Sequence, residues 1–109
     1  MERLIKGHTT KNAKVIMKGG CCYLKSYSTL VIKIEDGRMV VTGLYSATTR
    51  RHIGWFLKDV CNGRFSYHDI KKANNLGYAI NVFTGEPLVL TEEEKEFIRE
   101  NNGLLYSRL

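Results

Sequence analysis

Two runs of largely alternating apolar and polar residues, Leu30-Val31-Ile32-Lys33-Ile34-Glu35 and Arg38-Met39-Val40-Val41, meet at the dipeptide Asp36-Gly37. Asp-Gly populates the positive φ angles of a type I′ turn, whose twist matches that of the strands it joins, so this stretch is read as a tight antiparallel hairpin. With the turn at the tip, Glu35 pairs with Arg38, Ile34 with Met39, Lys33 with Val40, Ile32 with Val41, Val31 with Thr42 and Leu30 with Gly43. Leu30, Ile32, Ile34, Met39 and Val41 then share one face while the other is mixed, the pattern of an antiparallel sheet covered on one side.

After Leu44 the period changes. Ile53, Phe56, Leu57 and Val60 recur at helical spacing, with Thr48 or Thr49 placed to cap the start and Asn62-Gly63 to end the helix. This helix is expected to lie on the apolar face of the sheet, where each of the four side chains contributes roughly 1.5 to 3 kcal/mol if fully buried. Upstream, Val15-Ile16-Met17, Gly19-Gly20 and Cys22-Tyr23-Leu24-Lys25 read as another hairpin, and the polar Lys25-Ser26-Tyr27-Ser28 as a bend or bulge between strands. Tyr23 and Tyr27 are read first as packing groups.

Downstream, Ser66 with Asp69 has the spacing of a capping box and opens a short helix near 67–74, closed by Asn74-Asn75 and Gly77. Tyr78 to Phe83 is a strand candidate, followed by a Thr84-Gly85-Glu86-Pro87 turn and the apolar Leu88-Val89-Leu90. Thr91 with Glu94 marks a second capping box and a helix near 92–101, with Phe97 and Ile98 facing inward and Asn102-Gly103 closing it. Leu104-Leu105-Tyr106 offers a segment that packs back on the body or mediates self-association. The expected fold is thus α+β: an antiparallel sheet of about four to five strands in meander order, packed on one face by the helix after the Asp36-Gly37 hairpin, with two further short helices. Residues 1–109 form a single domain, in which 1–12 are loosely ordered or add a short edge strand.

Charge is unevenly spread. Residues 1–72 hold fourteen Lys or Arg against five Asp or Glu, a net of +9, whereas residues 73–109 hold three against six, a net of −3. Such a basic body steers toward phosphate backbones or acidic protein surfaces, with an attraction that weakens as salt rises. The sequence has no apolar run of membrane-spanning length and no secretory leader pattern, so the expected location is the cytoplasm, with no membrane partner. Cys21, Cys22 and Cys61 form an odd set without Cys-x-x-Cys spacing, and neighbours on one strand point to opposite faces. They read as small buried or half-buried hydrophobes, not as a disulfide framework or a zinc site. His8, His52 and His68 have no recognisable partners in the sequence, and no phosphate loop, nucleophile elbow or paired catalytic carboxylates appear. The reading is therefore a protein that is not an enzyme and needs no cofactor or metal.

The binding candidates cluster around the hairpin and its helix. Arg51, Trp55 and Lys58 stand at i, i+4 and i+7, displaced from the apolar stripe, and place the chain's only tryptophan beside cations. Exposed Trp and Arg suit protein interfaces, and aromatic groups interleaved with basic ones suit unpaired bases. Lys25, Tyr27, Lys33, Tyr45 and Arg50 complete the set that the scaffold presents.

Leu24-Lys25-Ser26-Tyr27, the strand that follows, and then Gly43-Leu44-Tyr45-Ser46-Ala47-Thr48-Thr49 with His52-Ile53 and Phe56-Leu57 resemble a family of small proteins of phages and other mobile elements of Gram-positive bacteria, a domain of unknown function. The resemblance covers roughly residues 22 to 60 and carries no catalytic residues. It implies an accessory protein that binds and inhibits or redirects a host protein or nucleoprotein complex, CRISPR-Cas effectors included. The alternative that the charge supports is a basic nucleic-acid-binding regulator contacting DNA or RNA directly.

Overall fold

Three two-residue turns set the sheet. The computed structural model describes residues 1–44 and 46–101, and among these the strands are β1 (Glu2–Leu4), β2 (Ala13–Lys18), β3 (Cys21–Ser26), β4 (Thr29–Glu35), β5 (Arg38–Val41), β6 (Ala79–Asn81) and β7 (Pro87–Leu88). They form one antiparallel sheet in simple chain order. Gly19-Gly20 and Asp36-Gly37 both take two successive positive φ angles, 58° and 80°, then 51° and 73°, as a type I′ turn requires. Gly37 has a second reason to lack a side chain, because the Phe83 ring occupies the space a Cβ would need. The ladder from Glu35–Arg38 to Ile32–Val41 has the register read from the turn.

The third turn departs from expectation. Ser26 pairs with Thr29 across Tyr27-Ser28, and a register shift between Leu24 and Lys25 leaves Val31 as the extra residue. The polar stretch read as a bend or bulge is therefore a tight turn with a bulge beside it. The shift also takes Leu30 out of the alternation, since Lys25 pairs with Leu30 where a regular ladder would pair it with Val31.

Seven strands replace the expected four to five. β1 and β7 are three and two residues long, too short for alternation to mark them. The first twelve residues contain β1 at the sheet edge, and Asp59 ties this segment down. Its carboxylate accepts two hydrogen bonds from the Arg3 guanidinium, at 2.7 and 3.0 Å, and one from the Lys6 amide at 2.8 Å.

Helices α1 (Ala47–Cys61) and α2 (Tyr67–Leu76) fill the connection between β5 and β6, and α3 (Glu92–Asn101) follows β7. The cap of α1 is Ser46, two residues before Thr48 and three before Thr49, the caps expected; its hydroxyl accepts from the Thr49 amide. Asn62 ends this helix in the left-handed conformation, and α2 opens on the Ser66–Asp69 capping box and closes on Gly77. For α3 the Thr91–Glu94 box is formed in both directions, at 2.9 and 3.1 Å; the Asn102-Gly103 stop and the Leu104-Leu105-Tyr106 segment lie outside the described residues.

One face of the sheet, carrying Val15, Leu24, Ile32 and Met39, packs with Ile53, Phe56 and Leu57 of α1 and Ile70 and Ala73 of α2 in a single core. Val60, the fourth residue of the α1 stripe, is only partly buried against it. The second face is not bare, as the mixed alternation implied. Phe97 of α3 meets Tyr23 at 6.0 Å between ring centroids and lies under the Lys33 ammonium at 4.9 Å, and Arg38 grips Glu94 through two bonds of 2.9 Å. A mixed face can be covered where its long side chains supply apolar stems and ion pairs to the covering helix.

Candidate functional site

The N-terminal half of α1, the Tyr27-Ser28 turn and the β1–β2 loop converge on one surface. Beneath it runs a chain of hydroxyls and one imidazole. The Ser46 hydroxyl lies 3.3 Å from that of Thr49, Thr49 lies 3.2 Å from Ser26, and Ser26 Oγ is 2.7 Å from His52 Nδ1. Ser26, Thr49 and His52 are all buried. The capping residue of the helix is thus linked, through two hydroxyls, to the end of β3, which fixes how α1 enters the core. Burial, and next the charges of Arg51 and His8, hold the His52 imidazole below its ordinary value, so it is neutral at pH 7. Ser26 and His52 stand at nucleophile-to-base distance, yet both are 2% exposed, and among the described residues no carboxylate bonds the imidazole. Their chemistry is that of a structural tie.

Above this chain the rings form a shelf. His8 stacks on Trp55 with centroids 3.8 Å apart and planes 18° from parallel; Trp55 meets His52 at 5.3 Å, and His52 meets Tyr27 at 5.7 Å. Trp55 is half-buried against the core, while Tyr27 is 52% exposed, so it is not the packing group that its type suggested. Tyr27 has a second peculiarity: its φ is +56°, in the left-handed region that bulky residues avoid. Holding it there costs on the order of 1 to 3 kcal/mol. The amide of Tyr27 donates to the Asn12 carbonyl at 2.7 Å, which fastens the turn to the chain entering β2.

The remaining candidates divide. Arg51 and Lys58 are exposed on the same helix as Trp55 and form no ion pair among the described residues. Arg50 turns instead toward α2, its guanidinium 4.6 Å from the Tyr67 ring centroid. Lys33 is held by Glu35 and Phe97 under α3, on the opposite face of the sheet. Lys25 alternates with the buried Leu24 and Ser26, so it too belongs to that opposite face. Tyr45 lies outside the described residues. Of the eight residues, the structure therefore unites Tyr27, Arg51, Trp55 and Lys58 on the α1 side. It adds His8 and His52, which sequence reasoning left without partners. The i, i+3 spacing of His52 and Trp55 was available as a signal for one of them; nothing in the sequence pointed His8 across to the helix.

Elsewhere, burial pushes the thiols of Cys21, Cys22 and Cys61 up, away from the reactive thiolate. Cys21 and Cys22 do point to opposite faces: Cys21 Sγ lies 3.1 Å from Glu35, and Cys22 packs in the core. A cleft of about 170 Å³ opens at the C-terminal end of α1, lined by Ile34, Val60, Cys61, Arg64, Phe65 and Phe83. Among the described residues no three metal-ligating side chains gather, and no helix is long and apolar enough to cross a membrane.

The sequence profile of a family of unknown function (DUF8033) matches residues 5–72, more than half of the chain. The chain belongs to that family. Its matched stretch holds the whole shelf, from His8 to Trp55, and most of the basic body. No curated protein and no solved structure matches the chain.

Proposed function

We propose that this protein is a non-enzymatic accessory protein of a phage or mobile element that binds a host protein or nucleoprotein complex and inhibits or modulates it. The observation that carries the reading is the α1 face. Arg51 and Lys58 are exposed, form no ion pair among the described residues and stand on the same helix as a half-buried tryptophan. Of the five acids in residues 1–72, Glu2, Glu35 and Asp59 are engaged in ion pairs, Asp69 caps α2, and Asp36 sits at a hairpin tip. The surplus cations are left for an acidic partner, and a tryptophan set among them is the kind of anchor on which interfaces concentrate their energy. The resemblance to proteins of mobile elements makes a CRISPR-Cas effector the first target to assay.

The test is a variant with Arg51, Trp55 and Lys58 all replaced by alanine. Capture of the host target and inhibition are both expected to be lost while the circular dichroism spectrum and cooperative melting persist. Inhibition that survives in the folded variant removes the α1 face from the function. The second reading, a basic nucleic-acid-binding regulator, is favoured by the same cations lying around a shelf of rings. It requires binding to purified DNA or RNA, with no host protein present and with an affinity that falls as salt rises.

A further inference from the structure

Tyr27 is the residue of the shelf that packing does not explain. It sits in a backbone conformation suited to glycine or asparagine, yet its ring is more exposed than covered. A strained, exposed aromatic is retained in a fold where the strain serves something other than the core. What its conformation achieves is positional. The ring stands at the open end of the series His8, Trp55, His52, Tyr27, in which each neighbour lies within 6 Å. The other end of the series is closed by the near-parallel His8–Trp55 stack.

The cations lie around this series. Arg51 is close enough to His52 to act on its imidazole, Lys58 follows one turn after Trp55, and Lys6 and Lys11 flank His8 in the β1–β2 loop. Arg51, Lys58 and Lys11 form no ion pair among the described residues, while Lys6 also lies within reach of the Asp59 carboxylate. An exposed ring at the open end of a series of rings, with cations on the same helix and loop, suits a strand of nucleic acid whose unpaired bases stack while its phosphates meet the cations. A duplex hides the flat faces of its bases and does not use such a ring. We propose that the shelf binds single-stranded nucleic acid, and that Tyr27 is the platform on which an unpaired base stacks. This rests on the reading of the α1 side as the binding face, and adds the ligand class.

The test uses the full chain with fluorescein-labelled dT20 and rU20, and a 20-base-pair duplex as comparison. Both single strands, or one of them, are expected to bind, with log affinity falling linearly in log salt at a slope of about −2 to −3 for three or four phosphate contacts. The DNA and RNA arms tell which sugar the site accepts. Tyr27→Asn, which suits the left-handed backbone, is expected to weaken single-strand binding about 5- to 100-fold, while Tyr27→Phe keeps it. Tyr27→Asn is also expected to melt no lower than the parent protein, because it relieves the strained backbone. The proposal is overturned by the absence of oligonucleotide binding, by single-strand affinity unchanged in Tyr27→Asn, by equal Tyr27-independent binding of the duplex, or by a Tyr27→Asn variant that melts well below the parent and so reveals a packing role. If the oligonucleotides do not bind at all while the alanine triple variant still loses the host target, the shelf serves a protein contact. In that case only this inference fails, and the proposed function stands.

Discussion

The helix starts on the two faces of the sheet are fastened in different ways. On the α3 side, Glu94 is buried, closes its own helix start through Thr91, and receives two bonds from Arg38, which also donates to the Val89 carbonyl at 2.7 Å. Burial pushes the Glu94 carboxyl up, but the bonds from Arg38 and Thr91 outweigh it and the net shift is down. There, ionised groups fasten a helix to the sheet. On the α1 side, the start of the helix is fastened to β3 by a neutral chain, Ser46–Thr49–Ser26–His52; an ion pair, Asp59 with Arg3, joins only the later part of α1 to the edge strand β1, and Arg51 and Lys58 form no ion pair among the described residues. Charge spent inside the fold is unavailable to a partner, so a helix start docked by hydroxyls leaves neighbouring cations such as Arg51 to one.

This contrast can be broken from either side. The largest effect on stability is expected from Glu94→Ala, which removes the carboxylate half of the capping box and strands the Arg38 guanidinium. The loss is about 2 to 3 kcal/mol, below that of a fully buried pair because the Arg38 side chain stays 27% exposed. Urea unfolding measures it, and unchanged target binding in the same variant is part of the expectation. Ser26→Ala comes next: it leaves the His52 Nδ1 without its 2.7 Å partner in the core and costs about 1 to 3 kcal/mol. If that variant unfolds at the parent urea midpoint, the hydroxyl chain is not what holds α1.

Acid should separate the imidazole from the carboxylate ties in sequence. The folded His52 imidazole lies below the value near 6.5 of the unfolded chain, so the unfolded state takes up the proton first. Its contribution to stability is complete above about pH 6.5 and falls as the pH drops below that. Glu94 and Asp59, both lowered, keep their contributions until the pH falls below the ordinary carboxylate range near 4. Melting temperatures recorded between pH 7.5 and 5 should therefore decline in the parent and stay flat in His52→Gln. The smallest stability effects belong to Arg51→Ala and Lys58→Ala, each within about 0.5 kcal/mol of the parent, although these are the substitutions expected to damage binding. A large destabilisation by either would mean that the α1 cations are structural after all.

Local rules in the sequence carried the fold class, the register of the central hairpin, both capping boxes and the apolar stripe of α1, since each depends on residues a few positions apart. The missed features are those in which distant segments decide. Whether Ser46 or Thr49 caps α1 turns on the Ser26 hydroxyl that already engages Thr49, a contact across 23 positions. That α3 covers the second face depends on Arg38 and Glu94, 56 positions apart. The candidate site was legible as a helix face, through Arg51, Trp55 and Lys58. Its aromatic continuation was not, because His8 and Tyr27 reach the helix only through the loop ahead of β2 and the turn after β3. Lys25 and Lys33 were drawn into the same set by composition, and strand alternation places them on the other side.

The meander order has a kinetic consequence. β2 through β5 are joined by turns of two residues each, so their pairing closes the smallest loops a chain can close and carries little entropic cost. Only the step from β5 to β6 must wait for two helices to form in between. A chain arranged in this way is expected to zip its first five strands early and to add β6, β7 and α3 late, at one edge. The left-handed Tyr27 would then be set during the early phase, before the helix that carries Trp55 has docked beside it.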